Sequence, residues 1–364
     1  MLKNKKYFEN IQDILDQSLV TVTDIEIDIS DIQIVEQAAL DLCSTLLNSS
    51  NLSNLVLYFI KIQICNKDFY HIAQALGKCP ALSNIKLILT ENQIQDEQFS
   101  LLILGLEKCC NLQNLELHLE KNQIGDKSII SLGISLQKLN KLSTLKLALK
   151  NNQLESEDLT VQNLPRVECL KISTFELDFQ NNQVNSQNAV ILGIILANYS
   201  NVQNLKLQLN SNLITDEGVS GISQSLSKIA SLSQFYLSLQ NNNIGEIGAL
   251  DLAQALAKGK NIKSLELQFR NSPIGNNGAL ALCSSLSKSL SLQVLDLKLW
   301  NNQINSEGVL NLSQALQKYS NLYILKLWIL KNDVDEFYSK RSKQNIFKIP
   351  RLVKLRCNIL TKNL

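Results

Sequence analysis

The chain has 364 residues, of which 45% are hydrophobic, 19% are charged and only 5% are aromatic, and its formal net charge is +2. This composition is typical of a globular protein with an aliphatic core, and the near-neutral charge argues against a general polyanion-binding chain. The 8 cysteines include no C-x-x-C pair, and no run of about 18 apolar residues occurs, so the sequence predicts neither a zinc site nor a membrane span.

The N-terminal segment, "MLKNKKYFENIQDILDQ", is charged and lacks the apolar run of a signal peptide. We predict a short helix over about Lys5–Gln17 and assign residues 1–20 to an N-terminal helical cap. Free cysteines without an export signal favour a cytoplasmic location. Residues 21–364 are assigned to one repeat array.

The array is built from a segment that recurs every thirty residues without an insertion. The copy "NLQNLELHLEKNQI" begins at Asn111, and related copies begin at Thr21, Asn201 and Ser291. In total about twelve copies fill the chain, and the last one, from Arg351, is incomplete. A fixed spacing over the whole chain indicates one structural unit per copy.

Each copy reads L-x-x-L-x-L-x-L-x-x-N-x-I. Leu115, Leu117 and Leu119 alternate along the chain as in a strand with one buried side. Later in a copy the spacing becomes helical, as in the segment Val219–Ile229. A short polar residue precedes each predicted helix and is expected to cap its first turn. The predicted caps are Asn66, Asp96, Asp126, Ser156, Ser186, Asp216, Asn276 and Ser306.

One strand–turn–helix unit cannot bury its own apolar side, whereas stacked units can. Parallel strands lie about 4.8 Å apart but packed helices need about 8–10 Å, so the stack must curve. The predicted fold is therefore α/β: a solenoid, or horseshoe, with parallel strands on the concave side and helices on the convex side.

The repeat resembles the ribonuclease-inhibitor-like class of leucine-rich repeat proteins, whose usual core is L-x-x-L-x-L-x-x-N-x-L. Copies such as "LELHLEKNQI" differ by one additional alternating pair, which is expected to lengthen each strand. Long Gln/Asn-rich arrays of this kind are also similar to ciliate repeat proteins, some of which carry a kinase domain. The sequence has no Gly-rich loop, H-R-D or D-F-G motif, so kinase activity is not implied.

One asparagine recurs in the same slot of most copies, where strand turns to helix. We predict a structural ladder of buried amides that bind free backbone groups. Its members are Asn92, Asn122, Asn152, Asn182, Asn212, Asn242, Asn302 and Asn332. The slot holds Ile32, Ile62 and Ser272 in three copies, so the ladder is expected to break there.

The cysteines and histidines give no chemical site. Cys79, Cys109 and Cys169 share one repeat slot, and Cys43 and Cys283 share another, as expected of small buried residues. His71 and His118 lie in different copies without an assembled catalytic partner. We therefore predict no enzyme activity, no cofactor and no metal site.

Two segments break the repeat pattern. Val161–Leu170 places Pro165 where other copies continue a helix, and Ser339–Pro350 is basic. Each is either a binding loop or a drifted repeat, and the drifted repeat is the simpler interpretation.

The outward strand positions include Lys86, Glu116, Lys146, Glu176 and Lys206, which alternate in sign and are expected to attract one another. This argues against a nucleic-acid-binding surface, which requires a continuous row of basic side chains. The first repeat strand presents an acidic patch of Asp24, Glu26 and Asp28. The remaining candidates combine aromatic, basic and apolar types that favour protein contacts. They are Arg270, Lys298, Trp300, Lys326, Trp328 and Leu330, and a weaker group of Tyr58, Ile60 and Ile88.

The predicted function is a protein–protein interaction scaffold that holds a partner protein on the concave face. Two alternatives stay open: a regulator of a small GTPase, since Ran-type GTPase-activating proteins resemble this repeat class, and a structural component of a cytoskeletal or ciliary assembly. The chain stops within a repeat at "RCNILTKNL", and the uncapped strand edge suggests either a missing C-terminal part or self-association.

Overall fold

The computed structural model describes residues 5–10, 13, 19–30, 36–47, 49–62, 65–154 and 171–359. The chain divides into two compact units, Met1–Asn182 and Gln183–Leu364. In each unit the strands are parallel and follow one another in chain order. The predicted α/β alternation of strand and helix is confirmed in both units.

The first unit contains seven strands and four helices among its described residues. The strands are β1 (Lys5–Phe8), β2 (Asp24–Asp28), β3 (Asn54–Tyr58), β4 (Asn84–Ile88), β5 (Asn114–His118), β6 (Thr144–Ala148) and β7 (Thr174–Asp178). The helices are α1 (Glu36–Leu47), α2 (Asn66–Gly77), α3 (Asp96–Leu106) and α4 (Asp126–Leu136).

The second unit contains six strands and six helices among its described residues. The strands are β8 (Asn204–Gln208), β9 (Gln234–Ser238), β10 (Ser264–Gln268), β11 (Val294–Lys298), β12 (Ile324–Ile329) and β13 (Lys354–Ile359). The helices are α5 (Ser186–Ala197), α6 (Asp216–Leu226), α7 (Glu246–Lys258), α8 (Gly275–Leu286), α9 (Ser306–Leu316) and α10 (Glu336–Ile346).

The strand register follows directly from the repeat length. Lys86 lies opposite Glu116, and Leu265 lies opposite Leu295, so each residue faces its equivalent thirty positions later. The pairing of β1 is different, because Lys5 lies opposite Asp24. Because the register is constant, equivalent residues of successive repeats lie side by side and form one row across the strands.

The core is aliphatic and fills the predicted slots. On β5, Leu115 and Leu117 are buried, and on α6, Val219 and Ile222 are buried as well. Leu207 on β8 has no exposed surface. The period-two and helical apolar patterns therefore meet in a single layer between the strands and helices of each unit.

The helix predicted over about Lys5–Gln17 is wrong at its beginning, because Lys5–Phe8 forms β1 and pairs with β2. Edge pairing of backbone groups here outweighs the local preference of a short charged segment. Residues 11–12 and 14–18 lie outside the described residues, and the cap boundary at residue 20 stays a prediction.

The predicted helix caps are wrong by one position at Asn66, Asp96, Asp126, Ser186, Asp216 and Ser306, and by two positions at Asn276. Asp96 and Asp216 are the first helical residues, and the residue before each of them is the N-cap. Their side chains instead reach the next repeat, where Asp96 Oδ1 accepts the N–H of Gly125 at 2.9 Å. Four further bonds of this type join Ser186 to Thr215, Asp216 to Gly245, Asn276 to Asn305 and Ser306 to Asp335. Each such residue thus fixes the start of the following helix.

Of the two irregular segments, Ser339–Pro350 contains the C-terminal part of α10, which is the helix of a drifted repeat. The segment Val161–Leu170, with Pro165, lies outside the described residues, as do Ser156 and Cys169.

Candidate functional site

The side chains that alternate with the buried leucines form the outer side of each strand layer, which we call the strand face. On β5, Glu116 and His118 are half-buried while Leu115 and Leu117 are buried. Because the register is fixed, the strand face presents side chains in rows that a partner could contact.

On the first unit, neighbouring charges of the strand face pair with each other. Lys86 Nζ lies 2.8 Å from Glu116 Oε1, and Lys146 Nζ lies 3.3 Å from Glu176 Oε1. All four side chains are partly exposed, so each pair contributes about 1 kcal/mol or less. These charges are already compensated within the protein.

His118 is held between two carboxylates of the same repeat, Glu116 on β5 and Glu120 just after its end. Its Nε2 lies 2.6 Å from Glu116 Oε1 and its Nδ1 lies 3.4 Å from Glu120 Oε1. The hydrogen bond to Glu120 raises the pKa of His118, burial opposes this, and Glu116 adds to the increase. Burial raises the pKa of Glu116, but hydrogen bonds from His118 and Lys86 outweigh burial and lower it. The result is a charged cluster whose hydrogen bonds are internal.

The predicted group of Tyr58, Ile60 and Ile88 lies on the strand face, and all three side chains are half-buried. Tyr58 is tied to its neighbour, since its hydroxyl donates to Glu26 Oε1 at 3.2 Å. Lys5 Nζ lies 2.7 Å from the other oxygen of Glu26. A side chain on β1 therefore partly neutralises the predicted acidic patch.

The other two members of that acidic patch also have partners. Asp24 accepts hydrogen bonds from Thr23 at 2.6 Å and from Asn54 at 2.7 Å. Asp28 Oδ1 accepts the N–H of Ser30 at 3.1 Å.

On the second unit, aromatic and basic residues come together on β10, β11 and β12. The Arg270 guanidinium lies over the Trp300 ring, 5.0 Å from its centroid. Trp328 lies opposite Lys298, two positions before Trp300 on the neighbouring strand. We call the residues Arg270, Lys298, Trp300, Lys326 and Trp328 the aromatic–basic patch.

The two lysines of the aromatic–basic patch are paired, whereas Arg270 is exposed. Lys298 Nζ lies 2.7 Å from Glu266 Oε1, and Lys326 Nζ lies 3.1 Å from Asp296 Oδ2. Gln268 also donates to Glu266, at 2.6 Å. These bonds fix the surroundings of the two tryptophans before any partner arrives.

Leu330 does not belong to this exposed surface, although it was predicted to face a partner. Its side chain is only 8% exposed, and Ile329 beside it is fully buried. The strand period does not continue through these two apolar positions, because β12 ends at Ile329 and the chain turns.

On β11 and β12, two buried polar side-chain atoms lack a hydrogen-bond partner in the described part of the chain. They are Trp328 Nε1 and Asp296 Oδ1. An unpartnered buried polar group costs about 1–3 kcal/mol. These two atoms therefore lower the stability of the patch relative to a fully hydrogen-bonded one.

The conserved geometry of the turn slot is provided by asparagine amides. Asn122 Oδ1 accepts from the N–H groups of Asn92 at 2.9 Å and of Ile94 at 3.0 Å. Its Nδ2 donates to the carbonyls of Leu89 and Leu119, both at 2.9 Å. All eight predicted ladder residues donate from Nδ2 to turn carbonyls. Their amides are therefore occupied by hydrogen bonds within the turns.

The break at Ser272 has a visible consequence in the next repeat. Ile274 N donates to Ser272 O, and α8 begins at Gly275, with a φ of 66°. Asn302 Oδ1, which would accept from Ile274 in an intact ladder, has no partner among the described residues.

The sequence analysis missed two further polar ladders. At the strand starts, Asn84 donates to Asn54 and Asn114 donates to Asn84. At the strand ends, Asn271 Nδ2 donates to Asn241 Oδ1 at 2.6 Å, and Asn301 continues this row. The thirty-residue spacing of these asparagines was the signal that could have revealed both ladders.

The buried cysteines hold their thiols in the neutral form. Burial raises the pKa of the Cys79 thiol to about 11 and that of the Cys283 thiol to about 12, so neither forms a ready thiolate. Within the described residues, no three or more His, Cys, Asp or Glu side chains are placed to hold a metal ion. In the same part of the chain, no helix has both the length and the apolar character needed to cross a membrane.

Comparison with known proteins gives one family match. A family model described as Leucine Rich repeat matches residues 109–133 and 203–223, which contain β5 and β8 with the turns that follow them. No curated protein matches the sequence. The solved structure "Leiomodin-1 Actin-Binding Site 2 (ABS2)" aligns with 37% of this chain and 73% of its own, at 20% sequence identity and a TM-score of 0.29. That likeness is too distant to indicate a function.

The narrower resemblance to the ribonuclease-inhibitor-like class and to ciliate proteins stays a prediction. The matched segments and the thirty-residue strand–turn–helix units together identify the chain as a leucine-rich repeat protein.

Proposed function

We propose that the chain is a non-catalytic scaffold that binds a partner protein on the strand face of its second unit. One observation carries this proposal: the Arg270 guanidinium lies over the Trp300 ring, with Trp328 on the adjacent strand. A few residues carry most of the binding energy at protein interfaces, and tryptophan and arginine are enriched among them. Both tryptophans of the chain lie on this one surface.

The surroundings of the patch support the same proposal. The Lys298–Glu266 and Lys326–Asp296 ion pairs hold the neighbouring side chains in place. Side chains that are ordered before binding lose less conformational entropy when a partner docks. By the same reasoning, the weaker group around Tyr58 is a secondary contact.

The experiment identifies the partner with the wild-type chain, by affinity purification and mass spectrometry, and then measures its binding to purified variants. The double variant Trp300→Ala/Trp328→Ala is expected to bind the partner more weakly while its circular dichroism spectrum stays native. The matched control is Phe337→Ala/Phe347→Ala, which removes two exposed rings, 64% and 73% exposed, from α10 and the residue after it. Unaltered binding by the tryptophan variant would contradict the proposal.

Self-association is a second proposal, and β13 supports it. Leu355 and Cys357 are half-exposed, whereas their register partners Leu325 and Leu327 are buried. Partly exposed core slots beside a strand edge favour contact with another strand. Sedimentation velocity is expected to show concentration-dependent association that Leu355→Glu weakens, and a monomer at every concentration would overturn this proposal.

A further inference from the structure

The strand faces of the two units carry opposite charge. On the second unit six cationic side chains occupy outward positions: Lys206, Arg270, Lys298, Lys326, Lys354 and Arg356. Among the described residues, two carboxylates, Glu266 and Asp296, share that face. On the first unit the carboxylates outnumber the amines, since Asp24, Glu26, Asp28, Glu116, Glu120, Glu176 and Asp178 face Lys5, Lys86, Lys146 and Lys150.

The internal ion pairs of the second unit leave a basic excess. Glu266 forms an ion pair with Lys298, and Asp296 forms an ion pair with Lys326. Within the described part of the chain, no carboxylate pairs with the exposed side chains of Arg270 and Arg356. Lys206 lies over the Tyr236 ring at 5.5 Å, and Arg270 lies over Trp300, so these cations are flanked by aromatic rings and not by anions.

We infer that the partner segment recognised by the strand face of the second unit is acidic, with carboxylates that meet Arg270 and Arg356. This inference rests on the proposed function and specifies the chemistry of its partner. The acidic strand face of the first unit repels the same segment, so the charge difference also selects which unit is used.

The position of the Arg270 guanidinium over the Trp300 ring suits this role. A guanidinium that stacks through its flat face keeps its N–H donors at the edge of the plane, where they can bind a carboxylate with two parallel hydrogen bonds. The ring beneath fixes the guanidinium and excludes water from one side, which strengthens a charge-assisted hydrogen bond.

A fluorescence titration tests the inference on the intact chain. Because Trp300 and Trp328 are the only tryptophans, intrinsic tryptophan emission reports on the aromatic–basic patch alone. The probes are a short peptide of alternating glutamate and threonine, the same peptide with lysine in place of glutamate, and an oligothymidylate. The glutamate peptide is expected to change the emission and to bind less tightly as salt is added, and the lysine peptide is expected to have no effect.

The variants separate charge from folding. Arg270→Glu and Arg356→Glu are each expected to weaken binding of the glutamate peptide at least about tenfold, because an attractive pair becomes a repulsive one. Among the described contacts, Arg356 lies over neither tryptophan ring, so its variant changes the charge without removing a ring contact. The control Lys288→Glu makes the same kind of charge change at an exposed position after α8 and is expected to leave binding unchanged.

Two results would overturn the inference. If the glutamate peptide fails to bind while the tryptophan variant still loses the natural partner, the partner class is wrong but the proposed function stands. If only the oligothymidylate binds, the basic excess serves nucleic acid and the acidic protein segment is excluded. A tryptophan variant that keeps full partner binding would instead remove the proposed function itself.

Discussion

Asp216 Oδ1 accepts the backbone N–H of Gly245 at 2.6 Å, across the boundary between two successive repeats. Asp216 is the first residue of α6, and Gly245 is the N-cap of α7. The side chain therefore satisfies a helix terminus that is not its own. This bond couples the helix start of one repeat to the turn of the next.

Asp216→Ala is expected to lower the free energy of unfolding by about 0.5–2 kcal/mol, the usual cost of a lost helix cap. The effect arises at α7, so hydrogen exchange of the Gly245–Gly248 amides is expected to increase most. Urea unfolding measures the first quantity and exchange mass spectrometry the second. Glu217→Ala, which truncates the exposed neighbouring residue of the same helix, is the control. Equal unfolding midpoints for the two variants would rule out the cross-repeat cap.

Ser272→Asn is expected to stabilise the second unit by about 1 kcal/mol, because it restores an amide to the broken slot of the asparagine ladder. The new side chain can accept from the Asn242 and Ile244 amides, as Asn122 accepts from Asn92 and Ile94. Thermal or urea unfolding would detect the shift. The reverse change in the first unit, Asn122→Ser, is expected to cost about 1–3 kcal/mol. A destabilised Ser272→Asn variant would mean that the altered start of α8 cannot revert.

Leu207→Ala is expected to destabilise the chain by about 2–5 kcal/mol, because the side chain is fully buried between strand and helix. Leu213→Ala makes the same chemical change at a residue that is 60% exposed, and its effect should stay within about 0.5 kcal/mol. Denaturant midpoints of the two variants give the comparison. Similar midpoints would contradict the assignment of the alternating leucines to the core.

The His118 cluster predicts a pH-dependent contribution to stability. Because Glu120 and Glu116 raise the pKa of His118 in the folded chain, the contribution is fully present below the unfolded pKa of about 6.5 and is lost as the pH rises through the folded pKa. The excess stability of the wild type over His118→Gln is therefore expected to shrink as the pH rises above about 6.5. Over this range Glu116 and Glu120, whose pKa values are lowered in the folded chain, stay charged.

The measurement is the urea midpoint of both proteins at each pH. The control is His71→Gln, since His71, on α2, makes no ion pair in the described part of the chain. A difference between wild type and His118→Gln that does not vary with pH would show that the imidazole is not charged in the folded cluster.

Most of the repeat architecture could be predicted because its determinants are local and periodic. Within a single copy of the repeat, Leu115 and Leu117 predict the buried side of a strand, and Asn122 predicts the turn that follows it. The errors occur where a distant residue decides the outcome. Lys5–Phe8 forms a strand because β2 offers backbone groups to pair with, and no local pattern encodes that pairing. Asp96 looks like a cap in sequence, but its acceptor atom serves the next repeat.

The candidate surface was less predictable than the core. The register of Trp328 opposite Lys298 follows from the repeat length, but the burial of Leu330 does not, since it depends on how the chain turns after β12. The pairing of Lys298 with Glu266 is diagonal across two strands and depends on side-chain rotamers. Sequence spacing supplies rows of residues, whereas the contacts between rows require three-dimensional geometry.

The constant thirty-residue register has a consequence for how such a gene can change. Deletion or duplication of one whole copy would rejoin every row, because each asparagine and leucine would meet an equivalent residue on the new neighbour. An insertion of any other length within a strand or turn would shift the register at that point. The asparagine amides on both sides of the insertion would then lose their acceptors. The array can therefore lengthen or shorten in units of one copy, while the side chains of the strand face vary independently.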